Sequence, residues 1–300
     1  MLGVVSQFLR VLSGALSGER MVRVRLTETL EAEVYDRPGR WMDDAQLARL
    51  QDDLWLVARA SDLGGLNYGV FLRDRQPFTN RVVVVGRDRR TGAITGFNAM
   101  PQLEIEVEGR PVTVLHLGLL VIHPAFRRRG LQGLLYVLGA FYAYRRIPGR
   151  PAWISSVTEV PAVFGAVAEQ LRDPYPHHDR RAPPSEMHRQ VAQAVFDRHR
   201  HEFGTGQNAR FDSDRFVITG SYDGGSDALK KTFDSAPKHR NPAVNDFCAA
   251  QLDYQRGDDF LQVGLLDGSV MSRWLEQRVP AQLRPTAARE MKLWRYGEKR

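Results

Sequence analysis

The stretch from Val112 to Arg146 reads VTVLHLGLLVIHPAFRRRGLQGLLYVLGAFYAYRR, and the interpretation of the whole chain depends on it. Its first part, from Val112 to Ile122, is apolar with β-branched residues and little alternation, which predicts a strand covered on both faces. Pro124 ends that strand, because proline has no N–H to donate to a sheet. A basic turn containing Gly130 follows, and then a helix.

The second part of the stretch has the period of an amphipathic helix, with apolar residues on one face: Leu131, Leu134, Leu135, Leu138, Phe141 and Tyr142. A helix start leaves backbone N–H groups without partners and carries partial positive charge, and phosphate satisfies both. Gly130 would let a phosphate approach the backbone, and Arg127, Arg128 and Arg129 would add countercharge. Judged by the charge run alone, a plain turn with solvated arginines is an equal alternative.

As a whole, the string resembles the coenzyme A motif of the GNAT acyltransferase superfamily. That motif is a strand ending in apolar-x-Pro, an aromatic residue two positions later, and Arg/Gln-x-x-Gly-x-Gly/Ala opening a helix. The residues Ile122-His123-Pro124, Phe126, Arg127 and Gly130 fall in this register. Gln132 departs from it, since Gly or Ala is usual there, and Gly133 follows. The Gln132 side chain would either crowd a pyrophosphate or bond to it.

The resemblance implies an α/β fold of the α+β kind, with a mixed, mostly antiparallel central sheet, flanking helices and here a C-terminal extension. It also implies that strands at 112–122 and 152–157 splay apart and hold the pantetheine arm of an acyl-CoA, with acetyl-CoA as the first expectation and no metal. By position, the cofactor-binding residues are main-chain groups of the first strand and the turn with the helix start: Leu120, Val121, Ile122, Arg127, Arg128, Arg129, Gly130, Leu131, Gln132 and Gly133.

Composition agrees with an ordinary globular protein, since 43% of the 300 residues are hydrophobic and 26% are charged. The net charge of +7 suits an anionic ligand such as coenzyme A, a nucleic acid or an anionic surface. The single cysteine, Cys248, excludes an intrachain disulfide and fits a reducing, cytoplasmic compartment. Its apolar neighbours predict a buried thiol. No apolar run is long enough to predict a membrane span.

The first two-thirds of the chain divide into three predicted parts. Residues 1–21 form an amphipathic helix that packs on the body or on a second subunit, which leaves a homodimer open, rather than docking on a membrane surface. The interrupted apolar run there argues against a signal peptide. Residues 22–171 are the acyltransferase-like core. Residues 172–186 are rich in proline and charge, which predicts a linker or long loop.

The C-terminal region, 187–300, has two interpretations. Strands near 215–222 and 260–266 would complete the sheet, with an insertion at 223–258. A separate small C-terminal domain is the alternative.

Acyl transfer to an amine needs a group that takes the amine's proton and one that protonates the leaving thiolate. The family's usual tyrosine acid lies in Asn-x-x-Ala-x-x-x-Tyr, whose register here is Glu159, Ala162 and Ala166, so the tyrosine is absent and the asparagine is a glutamate. Glu159 is our candidate base, with a helix-capping carboxylate as the alternative. Tyr175 is our candidate acid, with an ordinary loop aromatic as the alternative.

The histidines predict no zinc site, because five of them lack ligand spacing on one face: His177, His178, His188, His199 and His201. His116 lies on the predicted strand, where a hydrogen-bonded core histidine is expected.

The sequence therefore predicts an acyl-CoA-dependent N-acyltransferase, first of all an acetyltransferase, that acts on an unknown amine by direct attack. One alternative is a catalytically inactive acyl-CoA-binding protein, suggested by the missing tyrosine and by Gln132. The other is a binder of nucleic acid or anionic surfaces through basic patches. No nucleic-acid-binding module is recognisable, so we do not expect a nucleic-acid partner.

Overall fold

The elements of the fold come from a computed structural model, which describes residues 10–11, 13–15, 17–147, 151–179, 182–224, 229–270 and 273. The strands are β1 (Met21–Arg25), β2 (Leu30–Asp36), β3 (Arg81–Asp88), β4 (Ile94–Val107), β5 (Arg110–His116), β6 (Leu119–Ile122), β7 (Ala152–Thr158), β8 (Arg172–Tyr175), β9 (Arg210–Asp212), β10 (Val217–Thr219) and β11 (Asp259–Leu266). The helices are α1 (Asp44–Ala60), α2 (Leu131–Arg146), α3 (Pro161–Gln170), α4 (Glu186–His199) and α5 (Pro242–Gln251).

The strands form one sheet of 11 in the order β1-β2-β3-β4-β5-β7-β11-β10-β9, with β6 paired to β4 and β8 to β11. Short turns such as Glu108–Gly109 join neighbours that run antiparallel. Helix α2 crosses between β6 and β7, which brings β7 parallel to β5. The predicted mixed, mostly antiparallel sheet flanked by helices is confirmed.

The apolar runs of the sequence are explained by helices on both faces of the sheet. In β3, Val82 and Val84 pack in a cluster with α2, whereas Val83 and Val85 pack in a cluster with α1. All four valines are fully buried. A strand covered on both faces has no polar side to show, so its sequence does not alternate. No helix in the described part of the chain is long and apolar enough to cross a membrane.

The C-terminal region adds strands to the outer edge of β7. Strand β11 pairs antiparallel with β7 from Thr158–Phe260 to Ala152–Leu266, and β10 and β9 follow. Strand β8 lies inside the segment that was expected to be a linker, and it pairs with β11. A proline is tolerated in such a short strand at an edge, where a missing N–H costs little.

The predicted buried thiol is confirmed, since Cys248 is fully buried on α5. It packs with Phe164 of α3 and Phe260 of β11, and burial raises the pKa of the thiol to about 12. Most of the helix predicted for residues 1–21 lies outside the described residues, although residues 13–15 are helical and Val11 and Ala15 pack into the core beside α2.

Candidate functional site

A wedge opens between β6 and the outer half of β7. Strands β5 and β7 pair in parallel only from Val114–Trp153 to His116–Ser155. One more bond, from Leu117 N–H to the Ser155 carbonyl at 2.7 Å, closes this ladder. Beyond it, β6 pairs with β4 and with no second strand among the described residues. One long edge of β6 therefore has main-chain N–H and C=O groups that no strand takes up.

Gly118 causes the break between β5 and β6, which the sequence predicted as one strand. A Cβ at this position would stand 1.9 Å from the carbonyl oxygen of Ala99, so only glycine fits. The hydroxyl of Tyr136, on α2, donates to the Gly118 carbonyl at 3.2 Å. Burial raises the pKa of Tyr136 to about 12, so the hydroxyl keeps its proton near neutrality. The narrow end of the wedge thus carries a fixed hydroxyl.

The outer end of β6 leads to a helix start that is open to solvent. Gly130 is the N-cap of α2 with φ 70°, and no side chain caps the helix. Arg128 also has a left-handed backbone, with φ 62°. A Cβ built on Gly130 would meet nothing within 4 Å, so the space before the helix is free. Uncapped N–H groups facing free space suit an anion such as a phosphate.

The arginines of the turn are exposed, and two of them have partners that order the loop. Arg127 Nε donates to the Ile122 carbonyl at 3.2 Å, which folds the turn back onto β6. The Arg129 guanidinium lies 5.1 Å from the centre of the Phe126 ring. A guanidinium has five N–H donors, so these contacts leave donors for an anion.

The structure brings the predicted cofactor-binding residues together along one path. Leu120, Val121 and Ile122 lie on β6 at the wall of the wedge, and the turn and the first residues of α2 continue from its end. The Leu131 side chain is buried in the core, so only its main chain is available to a ligand. Gln132 is exposed beside the open space.

Glu159 follows β7 directly and is nearly fully buried, with 3% of its surface exposed. Its Oε1 accepts hydrogen bonds from Lys231 N–H at 2.6 Å and from the Tyr222 hydroxyl at 3.3 Å. Its Oε2 is buried and has no hydrogen-bond partner among the described residues. Burial, and then the charge of Asp259, raise the pKa of Glu159 to about 8.

The alternative that Glu159 caps the next helix is wrong. The N-cap of α3 is Val160, which makes no side-chain cap bond. The Glu159 carboxylate is instead bonded to Lys231 and Tyr222, which belong to the C-terminal region. Glu159 lies four residues beyond Ser155, about 13 Å along an extended chain. It therefore stands at the open end of the wedge, away from its narrow end.

Asp259 is a site residue that the sequence analysis missed. It begins β11, and the pairing of Phe260 with Thr158 places it beside Glu159. It is 4% exposed. Burial raises its pKa to about 7, against the opposing effect of the Ser221 and Tyr222 side chains. The separation of 100 positions between the two carboxyls gave no local signal in the sequence.

Tyr175 lies on β8 rather than in a loop. It pairs with Val263 of β11. Its ring forms T-shaped contacts with the rings of Phe216 and His188, with 4.7 Å and 6.4 Å between the ring centres. Val263 also pairs with Ser155, so Tyr175 is several residues along the sheet from Glu159. The structure does not place these two predicted catalytic residues side by side.

His116 stands at the last parallel pair, where the wedge begins. Its Nδ1 lies 3.0 Å from Ser155 Oγ, and its ring stacks on Phe203 at 4.8 Å. Burial, followed by the charge of Arg81, lowers the pKa of His116 to about 3, so the imidazole is neutral near pH 7. The expectation of a hydrogen-bonded core histidine is confirmed.

Arg81 and Glu202 form a buried ion pair near this histidine. No group of three or more His, Cys, Asp or Glu side chains in the described ranges is arranged to hold a metal.

Comparison with known proteins gives weak matches. No family model matches the chain, and no curated protein matches it in sequence. Among solved structures, an aminoglycoside acetyltransferase from an uncultured soil metagenomic sample is 16% identical over 40% of this chain and 76% of its own, with a TM-score of 0.29. NAA60 of Arabidopsis thaliana, in complex with a bisubstrate analogue, is 16% identical over 39% and 71%, with a TM-score of 0.28.

Saccharomyces cerevisiae N-myristoyltransferase, with bound myristoyl-CoA, is 11% identical over 65% of this chain and 55% of its own, with a TM-score of 0.31. At this level of likeness neither activity nor substrate follows for the present chain.

Proposed function

We propose that this protein is an acyl-CoA-dependent N-acyltransferase, in the first instance an acetyltransferase, that transfers the acyl group directly to an amine. One observation carries the proposal: the wedge between β6 and β7 leads along an unpaired strand edge to the uncapped start of α2. An extended arm that ends in a pyrophosphate matches both halves of this path. The exposed arginines of the turn supply countercharge.

The residues of the chain fit such a ligand in three ways. The groups on the open edge of β6 are the main-chain N–H and C=O of Leu120 and the N–H of Ile122, because Val121 pairs with Phe97 of β4 and the Ile122 carbonyl accepts from Arg127. These groups would bond to the amides of the pantetheine arm. The N–H groups of the first turn of α2, with Arg127 to Arg129, would bind the pyrophosphate. Gly130 would leave the room that a phosphate needs. The ligand supplies the thioester, whose carbonyl carbon the amine attacks.

In the transfer a C–N bond forms, the C–S bond breaks, the amine loses a proton, and the leaving thiolate takes up a proton to become the free thiol. We assign the amine's proton to Glu159, because its Oε2 has no partner in the described chain and its pKa of about 8 suits proton uptake near neutrality. Glu159 lies about 13 Å along β7 from Ser155, which marks the narrow end of the wedge, so the proton would have to reach it through water.

The proton donor to the thiolate has two candidates. Tyr175 was predicted from the sequence, and its ring packs against Phe216 on β8. Tyr136 has its hydroxyl at Gly118, where the wedge is narrowest. This position favours Tyr136.

The proposal is tested by acetyl-CoA binding, measured by calorimetry and as a rise in melting temperature. Gly130→Asp would place a carboxylate against the phosphates and should abolish both signals. Gly109→Asp is the matched control, because Gly109 has a similar φ of 73° and nothing within 4 Å of a built Cβ, but lies in a distant hairpin. Equal binding by both variants would show that the ligand site is elsewhere.

Turnover separates an enzyme from an inactive acyl-CoA binder. Release of free thiol is followed over a panel of amines, and any accepted amine is used with Glu159→Gln. We expect turnover to fall about a hundredfold while acetyl-CoA binding is unchanged. Glu106→Gln, at an exposed position of β4, is the control. Binding without turnover of any amine would favour the inactive binder.

A further inference from the structure

A cavity of about 430 Å³ opens between α1 and the end of the sheet formed by β1 and β2. The wedge lies elsewhere, between β6 and β7. Strand β2 is three strands away from β6, about 14 Å at the usual spacing. Small-molecule sites have volumes from about 300 to 1,000 Å³. The cavity is therefore large enough for a small ligand, and it is separate from the proposed acyl-CoA site.

The walls of the cavity are aromatic and sulfur-containing. Tyr35 of β2 and Trp41 of the loop before α1 stack, with 6.5 Å between the ring centres and 26° between the planes. Met21 stands beside Tyr35 in the β1–β2 ladder, Met42 follows Trp41 in the chain, and the buried Leu50 of α1 completes the apolar lining. Thioether sulfur and aromatic rings both pack favourably against other rings, so these walls suit a flat aromatic body.

Hydrogen bonds hold the loop that carries two of these walls. The Trp41 indole N–H donates to the Asp36 carbonyl at 2.8 Å. The Arg75 guanidinium donates to the carbonyls of Gly39 and Met42 at 2.7 and 2.9 Å. A cavity whose walls are fixed beforehand loses little conformational entropy when a ligand enters.

The acidic groups around the cavity already have partners. Arg87 donates to Glu33 at 2.7 Å and to Asp53 at 2.5 Å. The Tyr35 hydroxyl donates to the same Glu33 oxygen at 2.7 Å, and Arg23 donates to the other oxygen at 2.5 Å. Because arginines neutralise these carboxylates, the cavity offers no free negative charge to a cationic ligand.

The polar groups that remain without partners are donors. Gln46 and Arg49 are three residues apart, and both line the cavity from one face of α1. Gln46 Oε1 accepts from the Asp43 N–H at 3.1 Å, so the NH2 group is its free end. Within the part of the chain that the structure describes, Arg49 forms no hydrogen bond or ion pair. A carboxylate accepts from two donors at once, and its charge balances a guanidinium.

We propose that this cavity binds a small aromatic carboxylic acid, whose ring packs against Tyr35, Trp41 and the two methionines and whose carboxylate bonds to Arg49 and Gln46. The charges of the lining agree with an anion, since two arginines and one aspartate leave one positive charge in excess. An aliphatic acid would carry the same charge but would lose the contacts between rings. The site does not depend on the acyl transfer proposed above.

The test is a calorimetric titration of the full chain with indole-3-acetate, which joins one flat ring system to one carboxylate. Indole-3-acetamide has the same shape without the charge, and octanoate has the charge without the rings. We expect indole-3-acetate to bind with a Kd below about 1 mM. The other two probes should bind at least about tenfold more weakly, because each lacks one of the two sets of contacts.

Variants assign the probe to the cavity. Arg49→Gln alters an exposed side chain and should weaken indole-3-acetate at least about tenfold, with a much smaller effect on indole-3-acetamide. Arg59→Gln is the matched control, because Arg59 is exposed on the same helix but does not line the cavity. Trp41→Leu removes an aromatic wall and should weaken both indoles.

Three results would overturn the proposal: no binding of indole-3-acetate at about 5 mM, equal binding by Arg49→Gln and the wild type, or octanoate binding as tight as that of indole-3-acetate. Gly130→Asp separates the two sites. We expect it to bind indole-3-acetate like the wild type, and a loss there would place the probe in the wedge and refute the cavity. None of these titrations uses acetyl-CoA or an amine, so failure of the proposed acyl transfer would leave their result unchanged.

Discussion

Tyr136 and Gly118 are joined by a hydrogen bond of 3.2 Å, from the phenolic hydroxyl to the main-chain carbonyl. The bond ties α2 to the break between β5 and β6. At this break the chain leaves β7, so the bond holds one wall of the wedge in place. The helix that presents its open start to a ligand therefore also positions the strand edge that would bind the rest of it.

The first prediction concerns Tyr136→Phe. Loss of this hydrogen bond should lower the free energy of unfolding by about 1 kcal/mol. If the hydroxyl protonates the thiolate, kcat should fall about tenfold or more with KM little changed. Tyr142→Phe is the control on the same helix, since its hydroxyl bonds to the Glu19 carbonyl. Unchanged turnover in Tyr136→Phe would show that its hydroxyl is structural and does not protonate the thiolate.

The second prediction concerns Gly118→Ala. The new Cβ would stand 1.9 Å from the Ala99 carbonyl oxygen, which belongs to the middle of the sheet and has little freedom to shift. We expect the free energy of unfolding in urea to fall by about 2 kcal/mol or more. Gly64→Ala is the control, because its nearest atom would be at 3.6 Å. Equal stability of the two variants would show that the break tolerates a side chain.

Much of the central fold could be predicted from local patterns. The apolar run from Val112 to Ile122 predicts a strand buried on both faces, and the apolar period after Gly130 predicts α2. The break at Gly118 could not be predicted in this way. The apolar run continues through it, and the clash that requires glycine comes from Ala99 on another strand.

The candidate site could be predicted only in part, for a similar reason. The turn around Gly130 is contiguous in sequence, so its residues could be named together. The surroundings of Glu159 are assembled from distant parts of the chain: Tyr222, Lys231, Tyr254 and Asp259. Composition around each of these residues gives no hint of the others. The pairing of β11 with β7 brings Asp259 to Glu159, and the chain between β10 and β11 brings Tyr222, Lys231 and Tyr254.

The third prediction concerns Gln132, which is exposed at the start of α2. If its side chain makes no bond to the ligand, Gln132→Gly should bind acetyl-CoA at least as tightly as the wild type. Glycine in a helix should also lower the stability of the protein by up to about 1 kcal/mol. Gln132→Ala is the control, because it removes the same side chain without this loss of stability. Calorimetry measures both variants. A loss of more than tenfold, about 1.4 kcal/mol, would show that the Gln132 side chain bonds to the ligand.

The last prediction concerns stability and pH, and other titrating groups limit the useful range. Carboxyls with lowered pKa values, such as Glu33 and Asp258, stay ionised above about pH 5. The lowered pKa of His116 makes stability rise with pH until the unfolded histidine loses its proton, near pH 7. Between pH 7 and pH 9 these groups no longer change charge. Asp259, with a pKa of about 7, and Cys248, with a pKa of about 12, still contribute there, but both are present in the wild type and in Glu159→Gln, so the difference between the two proteins reports Glu159.

In that range the native protein holds a proton on Glu159 that the unfolded chain has already lost, since its pKa is about 8 in the fold and about 4.3 in an unfolded chain. The stability that this group contributes is complete below about pH 4 and is lost as pH rises through about 8. We expect the free energy of unfolding, from urea titrations, to fall by about 1 kcal/mol more in the wild type than in Glu159→Gln between pH 7 and pH 9. Parallel curves for the two proteins would mean that Glu159 is ionised in the native state at neutral pH.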